Sequence, residues 1–239
     1  MAERILITND DGINSDGLIR LAERASDYGE VWVIAPEDQR SAVSHSITLR
    51  SHIDVYPACF PVPSVKAYSC SGTPADCVRV GMLNVMPSKP SVVLSGINYG
   101  YNVASDVQYS ATVGAALEAS FQGAAGIALS EDACNTHGVS DRFLPEVLSK
   151  LLREQLPSGS IWNVNFPGCK SEECKGILWD RKVSRGMIYR DTYDVIDRLK
   201  DEGIRFMVKG HYNEDAEDGT DFRAVLDGFV SVGIVKNIG

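Results

Sequence analysis

The stretch Ile5–Gly17, ILITNDDGINSDG, decides how the chain is read. Ile5 to Thr8 form a short run of the kind that makes a strand covered on both faces. Asn9, Asp10 and Asp11 follow at once, and Gly12 then permits a tight turn. Two adjacent carboxylates repel each other unless a cation sits between them. Helix capping is the competing use: Asp10, Asp11 or Asp16 could cap the helix that Leu18, Leu21, Ala22 and Ala25 announce by their spacing.

Outward from this stretch the pattern repeats. EVWVIAPE is a second buried strand, and AYSCSGTPADCVRVGMLNVM reads as strand, turn and a helix starting near Thr73 or Pro74. PSVVLSGIN is another strand, YSATVGAALEASFQGA a helix of small residues, and AGIALSE a strand. The alternation predicts an α/β fold with a doubly wound, mostly parallel Rossmann-like sheet. Such sheets bind ligands outside the carboxyl ends of their strands. After about residue 160 the rhythm changes. SIWNVNFPG reads as a strand and KGILWDRKVSRGMIYRDTYDV as hairpin strands. One more strand, an acidic loop, a short helical turn and a last strand follow. The reading is a catalytic core over 1–160 and a β-rich C-terminal region over 161–239, an oligomerisation arm plus a return segment to the core.

Bulk properties narrow the function. The chain has 239 residues and a net charge of −9, which speaks against a broad surface for duplex nucleic acid. Its apolar runs are about 4–6 residues long, against roughly 20 for a membrane-spanning helix. The N-terminus enters a strand directly, which predicts no secretory signal and a cytoplasmic protein. Six cysteines form no CxxC pair. They are read as reduced structural thiols, with a local disulfide between Cys169 and Cys174 as the minor alternative.

Oxygen-bearing side chains gather at the predicted strand ends. Asp10 and Asp11 follow the first strand, and the loop DQRSAVSHS offers Ser41, Ser44 and Ser46. Asn98 follows the strand VVLSGI, with an oxygen for a metal or an amide for a phosphate. Ser110 and Thr112 precede a long helix, whose free N–H groups and dipole would favour an anion, although both residues also suit ordinary capping. Hard oxygen donors of this kind suit a divalent cation such as magnesium or manganese. A cation beside an oxyanion pocket permits metal-assisted hydrolysis of a phosphate ester. His45 is weighed as a general acid or base against a solvated loop histidine.

The motifs ILITNDDG, SGTPADCV, SGIN with Gly100 and Asn102, and YSATVGAALE resemble, in that order, those of the SurE (survival protein E) family of 5'/3'-nucleotidases. The resemblance covers about the first 130 residues and continues more loosely through WNVNFPG and GTDFRAVLDGFVSV. It implies a metal-dependent phosphomonoesterase acting on nucleoside monophosphates, with one divalent ion per subunit. It places the metal ligands on Asp10, Asp11, Ser41 and Asn98, with Asp10, Asp11 and Asn98 catalytic. Asn9, Ser110 and Thr112 fall in the phosphate surroundings. It also implies a homodimer or homotetramer with exchanged C-terminal arms. Two departures stand out: Ala42 and Ala111 occupy positions where glycine is frequent, and Ala42 tolerates positive φ less readily.

Three rivals are set beside this reading. A haloacid-dehalogenase-type phosphatase needs D-x-D, and here the two aspartates are adjacent. A dinucleotide oxidoreductase would want G-x-G-x-x-G after the first strand. A non-catalytic, metal-dependent nucleotide-binding sensor would use the same residues without turnover.

Overall fold

The computed structural model describes residues 3–134 and 136–236. The chain runs β1 (Glu3–Thr8), α1 (Asp16–Ala25), β2 (Gly29–Pro36), β3 (Val55–Ala58) and β4 (Lys66–Cys70). It continues through α2 (Pro74–Val80), β5 (Val92–Tyr99), α3 (Ala111–Phe121), β6 (Ala125–Glu131), α4 (Gly138–Leu151) and β7 (Ser160–Phe166). Then come β8 (Ile177–Arg181), β9 (Tyr189–Arg198), β10 (Ile204–Tyr212), α5 (Asp221–Leu226) and β11 (Val230–Lys236).

Nine strands form one sheet in the order β3-β4-β2-β1-β5-β6-β7-β11-β8. The six central strands from β4 to β7 are parallel, while β3 joins one edge and β11 joins β7 in antiparallel fashion. This is the doubly wound, mostly parallel α/β architecture expected from the alternation. Successive side chains of β1 explain its unbroken apolar run. Ile5 and Ile7 enter a cluster with Leu18, Leu21 and Phe143 of α1 and α4, while Leu6 packs with Cys77, Val78 and Ala115 of α2 and α3. Both faces are covered, so alternation with polar residues is unnecessary.

The helices start where local chemistry says they should. Thr73 Oγ1 accepts a hydrogen bond from the Asp76 N–H, the Asp76 carboxylate accepts one from the Thr73 N–H, and Pro74 opens α2. Ser110 Oγ accepts from the Val113 N–H and caps α3. Neither Asp10 nor Asp11 caps α1; its N-cap is Ser15, which makes no side-chain cap bond.

Several elements differ from the sequence reading. β8 pairs in parallel with β11 rather than forming a hairpin with β9; the hairpin is β9 with β10. Ile177 and Leu178 find partners in Val230 and Ser231 that local alternation cannot reveal. The edge strand β3 was not anticipated, nor was α4, which contains Pro145 and buries Val139, Phe143, Leu144, Val147 and Leu148. From residue 160 onward the chain supplies three strands of the main sheet, β7, β11 and β8. The β9–β10 hairpin stands apart, with every residue of its two strands exposed. All six cysteines are free, so Cys169 and Cys174 are not bridged. No helix among the described residues is long and apolar enough to cross a membrane.

Candidate active site

From β1 the chain builds outward through β2 on one side, and β5 begins the build in the other direction. The carboxyl ends of β1 and β5 therefore flank a topological switch point, where α/β sheets open a crevice. Asp10 and Asp11 follow β1, and Asn98 is the next-to-last residue of β5. Close packing holds α1 against this point: a Cβ on Gly17 would lie 2.1 Å from the Ile97 carbonyl oxygen.

Asp10 is 4% exposed, and its Oδ1 accepts a 2.6 Å hydrogen bond from the Thr112 hydroxyl of α3. Burial pushes its carboxyl up to about 6; the Thr112 bond opposes this and the neighbouring Asp11 charge adds to it. Asp11 is also raised, by burial, against the Tyr99 N–H at 3.0 Å and the Gln39 amide at 3.4 Å. The same Gln39 amide donates to Ser41 Oγ at 3.0 Å, which brings Ser41 beside Asp11. Asn98 donates its amide nitrogen to the Gly100 carbonyl at 2.8 Å, so Oδ1 is the atom left for a ligand.

Asp10, Ser41, Asn98 and Ser110 line one cavity of about 650 Å³. Asp11 lines an adjoining cavity of about 340 Å³, and Tyr99 separates the two. Asn9 and Thr112 are buried behind them. The Asn9 amide donates to the Gly12 carbonyl and to Ser15 Oγ, fixing the turn that presents the two aspartates. Ser110 Oγ is engaged as a cap and Thr112 Oγ1 on Asp10, which leaves the N–H groups at the start of α3 as the open donors.

Ala42 has a φ of 57°, so the loop keeps a left-handed backbone without glycine, at a cost of about 1–2 kcal/mol. The loop rests on α3 where Gly114 allows it: a Cβ there would lie 2.7 Å from the Ser44 carbonyl oxygen. His45 does not face the cavity. Its Nε2 lies 2.9 Å from Glu118, which also pairs with Arg79, and its ring stacks on Phe121. It is a structural histidine rather than a general acid or base.

The donor set suits a hard cation. Carboxylate, amide and hydroxyl oxygens converge, no Lys, Arg or His lines the larger cavity, and both aspartates are held above the usual carboxylate range. Among the described residues no group of three or more His, Cys, Asp or Glu could hold a metal. A cation here would need the neutral oxygens of Ser41 and Asn98 beside the two carboxylates. Sequence reasoning missed Gln39 and the aromatic wall formed by Tyr99, Tyr101, Tyr109, Tyr189 and Tyr193. The tyrosines in NYGY and YRDTY were visible as residue types only.

A family profile described as Survival protein SurE matches residues 5–188. The chain belongs to the SurE family. A relative named 5'-nucleotidase SurE from Clostridium botulinum (strain 657 / Type Ba4) is 38% identical over 235 residues, 95% of this chain and 90% of the relative. Another of that name, from Thermoanaerobacter sp. (strain X514), is 36% identical over 234 residues, 96% of this chain and 90% of the relative. The crystal structure of the SurE protein from Aquifex aeolicus superposes with a TM-score of 0.81 at 32% identity, covering 98% of this chain and 93% of that one.

Proposed function

We propose that this SurE-family protein is a 5'-nucleotidase that hydrolyses nucleoside 5'-monophosphates, and 3'-monophosphates, to nucleoside and phosphate. The observation that carries the reading is the convergence of Asp10, Asp11, Ser41 and Asn98 at the β1/β5 switch point, around cavities whose larger member has no basic lining residue. The names of its relatives agree with the 5'-nucleotidase part of this reading.

The four residues would hold one magnesium or manganese ion per subunit. A bound ion of this kind neutralises phosphoryl oxygens and lowers the pKa of water. The chain's own groups supply positioning. Thr112 fixes the rotamer of Asp10, Gln39 and the Tyr99 N–H fix Asp11, and Gly100 turns the Asn98 oxygen outward. The opening N–H groups of α3 offer partial positive charge to phosphate oxygens.

The test is phosphate release from 5'- and 3'-nucleoside monophosphates by metal-stripped protein. Stripping is expected to lower turnover at least about a hundredfold, and magnesium or manganese to restore it. A monophosphate that binds with metal yet is never hydrolysed would replace the enzyme by a nucleotide-binding sensor.

Assembly follows from the hairpin. Tyr193 and Val195 of β9 face Val208 and Phe206 of β10 across the ladder, and all four are more than half exposed. An apolar ribbon of this kind calls for a covering surface, and a second copy is the proposed one, in a homodimer or homotetramer. Light scattering should give a multiple of 26.0 kDa, and the pair Phe206→Asp and Val208→Asp should shift it to the monomer mass. A monomeric wild type would end the proposal. The six free thiols fit the reducing cytoplasm proposed for it.

A further inference from the structure

A third cavity, of about 500 Å³, opens at the β8 edge of the sheet, between β8, β11 and the short helical turn Ala104–Gln108. Small-molecule sites span about 300–1,000 Å³, so its size is that of a ligand site. It has no lining residue in common with the active-site cavity: the turn gives Val107 and Gln108 to one, Ser105 and Asp106 to the other.

Its charge is the reverse of the active site's. Arg181, Lys182 and Lys236 line it against one carboxylate, Asp180, in a chain whose net charge is −9. Arg181 donates its Nε to the Trp179 carbonyl at 3.0 Å, and among the described residues none of the three cations has a carboxylate partner. Elsewhere Arg4, Arg20, Arg79 and Arg223 all find one. Val107, Val183, Ile234 and Val235 set an apolar wall beside the unpaired charges.

The backbone is bent to gather these groups. Side chains of a regular strand alternate between faces, yet Asp180, Arg181, Lys182 and Val183 follow one another and all line the cavity. The cause is a bulge. Ser231 pairs with Leu178 and Gly233 with Arg181, so β8 carries one residue more than β11 between the two pairs. Asp180 takes up the extra length in left-handed backbone, with a φ of 60°. Gly233 lets the strands close, since a Cβ there would lie 2.1 Å from the Arg181 carbonyl oxygen. Bulges re-aim side chains and are rare between parallel strands.

We propose that this cavity is a second ligand site, which takes a small organic anion: a phosphate-type head held by Arg181, Lys182 and Lys236, and an apolar body laid on the valines and Ile234. Charge-assisted hydrogen bonds hold the head, and burial against the apolar wall adds the rest. The inference stands apart from the phosphomonoesterase reading, because no residue of the β1/β5 crevice takes part.

Phenylphosphonate is the probe, a phosphate-like dianion on an aromatic ring with a C–P bond in place of an ester. Calorimetry on metal-stripped protein leaves no cation to draw it into the β1/β5 crevice. Wild type is expected to bind it with a Kd below about 1 mM, and K182E/K236E at least about tenfold more weakly. Both lysines are exposed, so the double variant keeps the fold. Asp180→Asn removes the one carboxylate, and asparagine also accepts left-handed backbone; it should tighten binding about two- to threefold, a gain that misfolding cannot imitate. Inorganic phosphate, without an apolar body, should bind at least about fivefold more weakly than the probe. No binding to wild type, or equal binding by K182E/K236E, would overturn the site. Inorganic phosphate bound as tightly as phenylphosphonate would overturn the two-part ligand. Loss of nucleotide hydrolysis with probe binding intact would count against the nucleotidase reading alone.

Discussion

Asp10→Asn is expected to lower phosphate release by about a thousandfold while leaving the protein at least as stable. The two effects have one origin. Asp10 is almost wholly enclosed, sits next to Asp11, and has its carboxyl pushed up to about 6 from 3.8. Each pKa unit is about 1.4 kcal/mol, so keeping Asp10 charged in the fold costs about 3 kcal/mol at pH 7. Asparagine removes that charge, and its Oδ1 can still accept the Thr112 hydrogen bond. A gain of about 1–2 kcal/mol would raise the melting temperature by roughly 2–8 °C in a chain of this size. The same change removes a charged oxygen from the cation-binding set and with it the attraction for a divalent ion. Thermal melting of metal-free protein and initial rates with metal check the two halves separately. Full activity in the variant would remove Asp10 from the site, and a clear fall in melting temperature would show that its burial is not a cost.

The elements that could be read from the sequence are those whose evidence is local. Ile5–Thr8 followed by Asn9, Asp10 and Asp11 places a buried strand and its functional end within a few residues. Thr73, Pro74 and Asp76 mark a helix start just as compactly. The pairing of β8 was not legible, because Ile177 and Leu178 are matched by Val230 and Ser231, far along the chain. Local alternation suggested the nearer hairpin instead. The site divides along the same line. Asp10 and Asn98 could be nominated because polar residues at strand ends stand out against apolar runs, whereas only the family resemblance singled out Ser41 from Ser44 and Ser46. That Thr112 would serve Asp10 rather than open solvent depends on how α3 crosses the sheet. Asp191 and the tyrosines around it were invisible as wall residues: period two says they share a face, but only the fold says which face meets the cavity. His45 shows the converse, since its loop looks solvent-exposed until Glu118 and Phe121 are brought to it.

Asp221→Ala is expected to destabilise the protein by about 3–5 kcal/mol, by far more than Asp221→Asn. Asp221 is 3% exposed at the start of α5 and has no cationic partner among the described residues. Its Oδ1 accepts from the Ser184 N–H at 2.9 Å and the Phe222 N–H at 2.7 Å, and the Ala104 N–H approaches both oxygens at 3.3–3.4 Å. One side chain thus ties together α5, the segment leading to the β9–β10 hairpin, and the turn that carries Ser105 and Asp106 into the cavity. Alanine would leave these buried donors unmatched, whereas asparagine keeps an oxygen for two of them. Burial nevertheless raises the Asp221 carboxyl to about 6, in spite of the N–H groups that favour its charged form. The folded state therefore holds the proton more tightly than the unfolded chain does. The associated stability is nearly complete at about pH 4 and is lost as pH rises through about 6, with the slope fading by about pH 7. Between pH 4 and pH 7 wild type should lose about 2 kcal/mol relative to D221N, which has no proton to release. Urea unfolding of both proteins at pH 4, 5, 6 and 7 measures the difference directly. A constant gap across the series would mean that Asp221 stays ionised in the fold, held by its three N–H groups, and that its burial is fully compensated.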